Sequence, residues 1–130
     1  MTTNAAEVSL SQIGQIALTV ADVERAVAFY HGALGIKLLF RAGPSLAFFD
    51  CAGVRLMLSG PEGDFKPGGG SSVIYFKVPD IRAAFDALRA RGVAFTDEPH
   101  LIAKMPDHEL WMTFFKDPDG NVLALMCEVR

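Results

Sequence analysis

Phe114-Phe115-Lys116-Asp117-Pro118-Asp119-Gly120-Asn121-Val122-Leu123-Ala124-Leu125 is the stretch on which the fold turns. Two apolar runs flank a Pro-Asp-Gly-Asn turn. Proline presets φ, Asp and Asn bond back to their own backbone, and glycine reaches positive φ, so the stretch reads as a β-hairpin. An echo stands earlier, in Ala47-Phe48-Phe49-Asp50-Cys51-Ala52-Gly53-Val54-Arg55-Leu56-Met57-Leu58. Asp50 matches Asp117, Gly53 matches Gly120, and Leu56 and Leu58 match Leu123 and Leu125. A hairpin present twice points to a duplicated module.

The segments outside the hairpins repeat in the same order. Ile16, Leu18 and Val20 alternate with Gln15, Ala17 and Thr19, the period-2 pattern of a strand. Asp22 then caps a helix carrying Val23, Ala26, Val27 and Tyr30, which Gly32 and Gly35 close, and Ile36 to Phe40 reads as a short strand. After a Gly/Pro-rich linker, Val73 to Val78 is again a strand, and Asp80 caps a helix carrying Ile81, Ala84, Phe85 and Leu88. Val20-x-Asp22-Val23-x-x-Ala26 and Val78-x-Asp80-Ile81-x-x-Ala84 coincide residue for residue. Val93 to Phe95 is expected as a strand and Asp97 to Asp107 as a long loop before the final hairpin. Each half thus reads β-α-β-β-β, an α+β chain with a first module over 12–59, a linker over 60–72 and a second module over 73–130. Residues 1–11 read as a polar, frayed lead.

The 130 residues suffice for one core shared by two half-size modules. A net charge of −3 gives no reason to expect nucleic acid or an anionic membrane as partner. No apolar run approaches the roughly 18 residues of a membrane span, and no basic head precedes an apolar core as in a secretory signal. Cys51 and Cys127 lack metal-type spacing and read as reduced thiols in a cytoplasmic protein.

One face of each set of strands is apolar and is expected under the helix; the other is mixed. Alternation places Gln15, Ala17, Thr19, Arg55, Met57 and Ser59 on the mixed face of the first module. Val73, Tyr75, Lys77, Val122, Ala124, Met126 and Glu128 take the same face in the second. On the strand before the last turn, Leu110, Met112 and Phe114 read as helix-facing, and Glu109, Trp111, Thr113 and Phe115 as mixed-face. Two curved sheets meeting across these faces would form a cup able to hold a small molecule.

Tandem β-α-β-β-β units, Val-x-Asp before each helix and Asp-Pro-Asp-Gly-Asn before the last strand resemble the vicinal oxygen chelate superfamily. It includes glyoxalase I, fosfomycin-resistance thiol transferases, extradiol dioxygenases, methylmalonyl-CoA epimerase and bleomycin-resistance proteins. The resemblance spans about residues 13–128 and implies the cup-shaped pair of half-barrels and a homodimer. It also implies up to four metal-ligand positions, which fall on Gln15, Met57, Val73 and Ala124. A hard divalent ion takes oxygen or imidazole donors. Gln15 offers an amide oxygen, Met57 a soft thioether, and Val73 and Ala124 nothing, so the usual metal set is not there.

Two functions follow. The first is a metal-free cup that binds a small molecule, lined by Gln15, Arg55, Met57, Tyr75, Trp111, Phe115 and Ala124. Trp111, Tyr75 and Phe115 are candidates to stack on a ring, and Arg55 to meet an anionic group. The second is a divalent-metal-dependent lyase, isomerase or thiol transferase, its ion held by Gln15 with His100, His108 or Glu109. Those three loop residues would also serve as acid–base groups near neutral pH. Asp117 and Asp119, two carboxylates on a tight turn, read as scaffold.

Overall fold

Backbone alternation and two helix caps organise the chain into two sheets. The computed structural model describes residues 11–61, 66–68 and 72–130. Residues 1–10, read above as a frayed lead, and 62–65 and 69–71 of the expected linker lie outside the described residues.

The first sheet contains β1 (Gln15–Thr19), β2 (Lys37–Arg41), β3 (Leu46–Cys51) and β4 (Val54–Ser59), in the spatial order β1-β4-β3-β2. The second contains β5 (Ile74–Lys77), β6 (His100–Lys104), β7 (Glu109–Lys116) and β8 (Val122–Val129), ordered β5-β8-β7-β6. In each, the first strand pairs parallel to the last and the remaining pairs are antiparallel. The expected repeat is therefore realised in hydrogen bonding as well as in order. Helix α1 (Val23–Val27) starts at Asp22, whose carboxylate accepts from the Arg25 N–H at 3.3 Å, and runs on as a π-helical turn, Ala28–Ala33. Helix α2 (Ile81–Ala90) starts the same way, the Ala83 N–H donating to Asp80 at 3.0 Å.

The second strand of the second module is not Val93 to Phe95. That segment makes only an isolated bridge from Phe95 to Phe115, and the strand is β6, inside the stretch expected to be a loop. Pro99 and Pro106 bracket it, and as an edge strand with ladder bonds on one side it is short and weakly patterned.

The turns of the two hairpins differ in length. Ala52 and Gly53 form a two-residue turn with φ of 52° and 95°, both in the left-handed region, so that Phe49 pairs with Leu56 seven positions on. Phe115 pairs with Leu123 eight positions on, because Asp117 to Asn121 form a longer turn. The second turn is longer by an odd number of residues, which reverses the facing of β7 relative to the echo.

The core lies on the helix side of both sheets as one continuous cluster, including Tyr30, Phe49, Leu58, Phe115 and Leu123, all 1% exposed or less. The final turn joins the modules. Buried Asp117 accepts from the Tyr30 hydroxyl at 2.7 Å, the Asn121 and Asp119 N–H groups at 2.8 and 2.9 Å, and the Asn121 side chain at 2.8 Å. Asp119 accepts from the Ala21 N–H at 3.1 Å and from Arg25 at 2.8 Å. The turn expected to be scaffold is thus also the latch between the halves.

Candidate functional site

Directly opposed residues in a sheet share a face, so strand pairing assigns every side chain. In the first module Gln15 opposes Arg55, Ala17 opposes Met57, and Met57 opposes Phe48. All lie on the face away from α1, where alternation put Gln15, Arg55 and Met57. The Gln15 amide donates to the Met57 sulfur at 3.8 Å, and the Arg55 guanidinium lies 5.8 Å from the Phe48 ring centre. Phe40 stacks on Phe48 with ring centres 4.7 Å apart.

In the second module Tyr75 and Phe114 both oppose Ala124, one from each side. Their rings meet edge to face at 6.1 Å, and Ala124 is fully buried while Tyr75 is 45% exposed. Tyr75 and Ala124 are therefore on the mixed face, as alternation required.

Trp111 and Phe115 are not. Trp111 opposes Cys127, Thr113 opposes Leu125 and Phe115 opposes Leu123, so all three face α2 and the core. Glu109 turns with them and accepts from the Trp111 indole N–H at 3.2 Å. Leu110, Met112 and Phe114, expected under the helix, line the mixed face instead. The misleading residue is Thr113: its hydroxyl is buried yet satisfied by the Asp97 carboxylate at 2.7 Å, so a polar residue sits on the core side at little cost. The aromatic side chains on the mixed faces are Phe40 and Phe48 in the first module and Tyr75 and Phe114 in the second. The register, which the unequal turns shift, was the signal for Phe114; Phe40 and Phe48 had the plain alternation of the first hairpin.

His100, His108 and Glu109 do not form one cluster. His100 opposes Met112 at one end of the β6–β7 pair and bonds the Glu98 carbonyl at 2.8 Å. His108 sits in the turn at the other end, about 13 Å away at roughly 3.3 Å per residue, with Nδ1 2.7 Å from Asp107. Arg130 and then His108 hold the Asp107 carboxyl below its usual range. Glu109 is on the opposite face, and Gln15 belongs to the other module. Among the described residues no group of three or more His, Cys, Asp or Glu side chains is placed to hold a metal.

Gln15, Met57, Val73 and Ala124 together do not fit a hard divalent ion either. The first two already contact each other, and Ala124 lies closed beneath two rings. Burial, and secondarily Asp50, pushes the Cys51 thiol above its usual range, and Cys127 is 3% exposed. Both thiols are expected to react with a disulfide reagent at pH 7.5 at least ~10-fold more slowly in the native protein than in urea. Equal rates would contradict this placement.

Tandem four-stranded sheets with a shared topology, one helix on each, are now accompanied by a match to a family model over residues 12–125. The chain belongs to the Glyoxalase/Bleomycin resistance protein/Dioxygenase superfamily. Among its relatives is a "Probable lactoylglutathione lyase" of Vibrio cholerae, 28% identical over 84% of this chain and 85% of that protein. Another is "Metallothiol transferase FosB" of Lysinibacillus sphaericus, 26% identical over 87% of this chain and 79% of that one. A solved structure, TnmS3, "an antibiotic binding protein from Streptomyces sp. CB03234", superposes with a TM-score of 0.75 at 27% identity, covering 93% of this chain and 98% of that one.

Proposed function

We propose that this superfamily member binds a small, largely apolar ring-bearing molecule on its mixed faces and holds no resident metal. The observation that carries the reading is what stands at the implied ligand positions. Met57 lies under Phe48 and beside Gln15, and Ala124 lies under Tyr75 and Phe114. Thioether and aromatic surfaces bind ring faces by dispersion and edge contacts, and they offer a hard ion no donor. Arg55, stacked on Phe48, supplies a cation for an acidic substituent. TnmS3, named as an antibiotic-binding protein, supports the reading at the level of family.

A homodimer in the cytoplasm fits this reading, since Phe40 and Tyr75 are 49% and 45% exposed and a second copy would cover such apolar surface. No helix of the described residues is long and apolar enough to cross a membrane. The metal-dependent lyase, isomerase or transferase is the competing reading, favoured by the names of two relatives.

The test combines calorimetry with elemental analysis of protein purified without chelator. The probe 8-anilinonaphthalene-1-sulfonate is expected to bind about tenfold more weakly to Phe48→Ala and to Phe114→Ala, and unchanged to Trp111→Phe. Stoichiometric zinc, manganese, nickel or iron would overturn the metal-free reading. Unchanged probe affinity in both alanine variants would overturn the aromatic cup.

A further inference from the structure

A cavity of about 260 Å³ opens on the helix side of the sheets, across the seam between the modules and away from the mixed faces. Leu34 and Ile36 of the first module wall one side; Phe76, Ala84, Ala87 and Leu88 of the second wall the other. Phe115 and Leu125, both core residues, lie at its base. The void exists because α2 presents alanines here, where larger side chains would close the seam.

The one charged group in the wall is Arg91, just after α2. Its Nη1 donates to the Ala33 carbonyl at 3.1 Å, which fixes the guanidinium across the seam. No carboxylate of the described residues forms an ion pair with it, although Arg25, Arg41, Arg82 and Arg130 each have one. An apolar cavity with an anchored, unneutralised guanidinium is complementary to a molecule with an apolar body and one anionic end. At about 30 Å³ per water-sized group, the space takes roughly nine non-hydrogen atoms.

From this we infer that the seam cavity is a second binding site, for a small apolar monocarboxylate. The apolar body fills the space between Ile36, Ala87 and Phe115, and the carboxylate meets Arg91. Because the occupant touches both modules, it stabilises their pairing, the more so the further its concentration exceeds its Kd.

Octanoate is the probe, with 1-octanol as its uncharged counterpart, measured by calorimetry on the full chain. Octanoate is expected to bind one site per chain and to raise the melting temperature. Arg91→Gln weakens octanoate by about tenfold and 1-octanol by less than about twofold. Ala87→Leu, at an exposed position on α2 and so compatible with folding, blocks both. Phe48→Ala changes neither, which separates this site from the mixed-face reading. The inference is overturned if octanoate does not bind, if Ala87→Leu binds it as well as the parent, or if Arg91→Gln affects acid and alcohol alike. It is equally overturned if Phe48→Ala abolishes octanoate binding, since the acid would then sit in the cup.

Discussion

Replacing Asp117 by alanine is expected to lower the thermal midpoint by roughly 10–20 °C, an effect of about 3–5 kcal/mol. The carboxylate is 5% exposed and collects four hydrogen bonds, from the Tyr30 hydroxyl, two turn N–H groups and the Asn121 amide. Alanine leaves those donors without their acceptor, and each buried unsatisfied group costs about 1–3 kcal/mol. The loss falls on the contact that joins the modules, so circular dichroism and tryptophan emission should report one less stable, cooperative transition. A midpoint shifted by less than about 3 °C would mean that the turn does not latch the modules.

The partner hydroxyl makes the same latch sensitive to alkali. Burial first, then the charge of Asp117 and its hydrogen bond, push the Tyr30 phenol far above the ordinary tyrosine value. A group whose folded-state pKa is raised contributes stability that is complete below its unfolded value, about 10, and is lost as pH rises beyond it. Stability should therefore fall steeply above about pH 10, and Tyr30→Phe should flatten that fall while costing some stability at neutral pH.

Ala124→Asp, which installs a carboxylate where the superfamily places a metal ligand, is expected to cost several kcal/mol and to recruit no metal. Ala124 has no exposed surface, because Tyr75 and Phe114 oppose it from the two neighbouring strands. A carboxylate there loses hydration and gains no cation: Gln15 is the only other hard donor among the implied positions, and it lies in the first module. Chemical denaturation with and without added manganese, zinc or nickel measures both parts. A variant as stable as the parent, or stabilised by any of these ions, would show that the implied positions can still assemble a site.

Much of the mixed face was legible from alternation. Gln15, Arg55, Met57, Tyr75 and Ala124 stand on it because β1, β4, β5 and β8 each carry one clearly apolar side. Between Glu109 and Lys116 at its ends, strand β7 carries Leu, Trp, Met, Thr, Phe and Phe in succession, apolar on both sides, and the one polar residue of that run, Thr113, points inward to Asp97. Polarity therefore assigned Trp111 and Phe115 to the wrong face. Strand β6 was hidden for a related reason: a short edge strand between prolines needs no strong pattern, since only one neighbour pairs with it.

The sequence by itself determined the duplicated β-α-β-β-β order, both Asp-capped helix starts, the hairpins and the absence of hard donors at Met57, Val73 and Ala124. Those are local properties, set by turn chemistry, periodicity and side-chain identity. Only the tertiary structure decided which way β7 faces, that His100 and His108 stand apart, and that Asp117 binds Tyr30 across 87 residues of chain. Each depends on register between segments distant in sequence, and a turn that is longer by an odd number of residues, as Asp117–Asn121 is beside Ala52–Gly53, inverts a face.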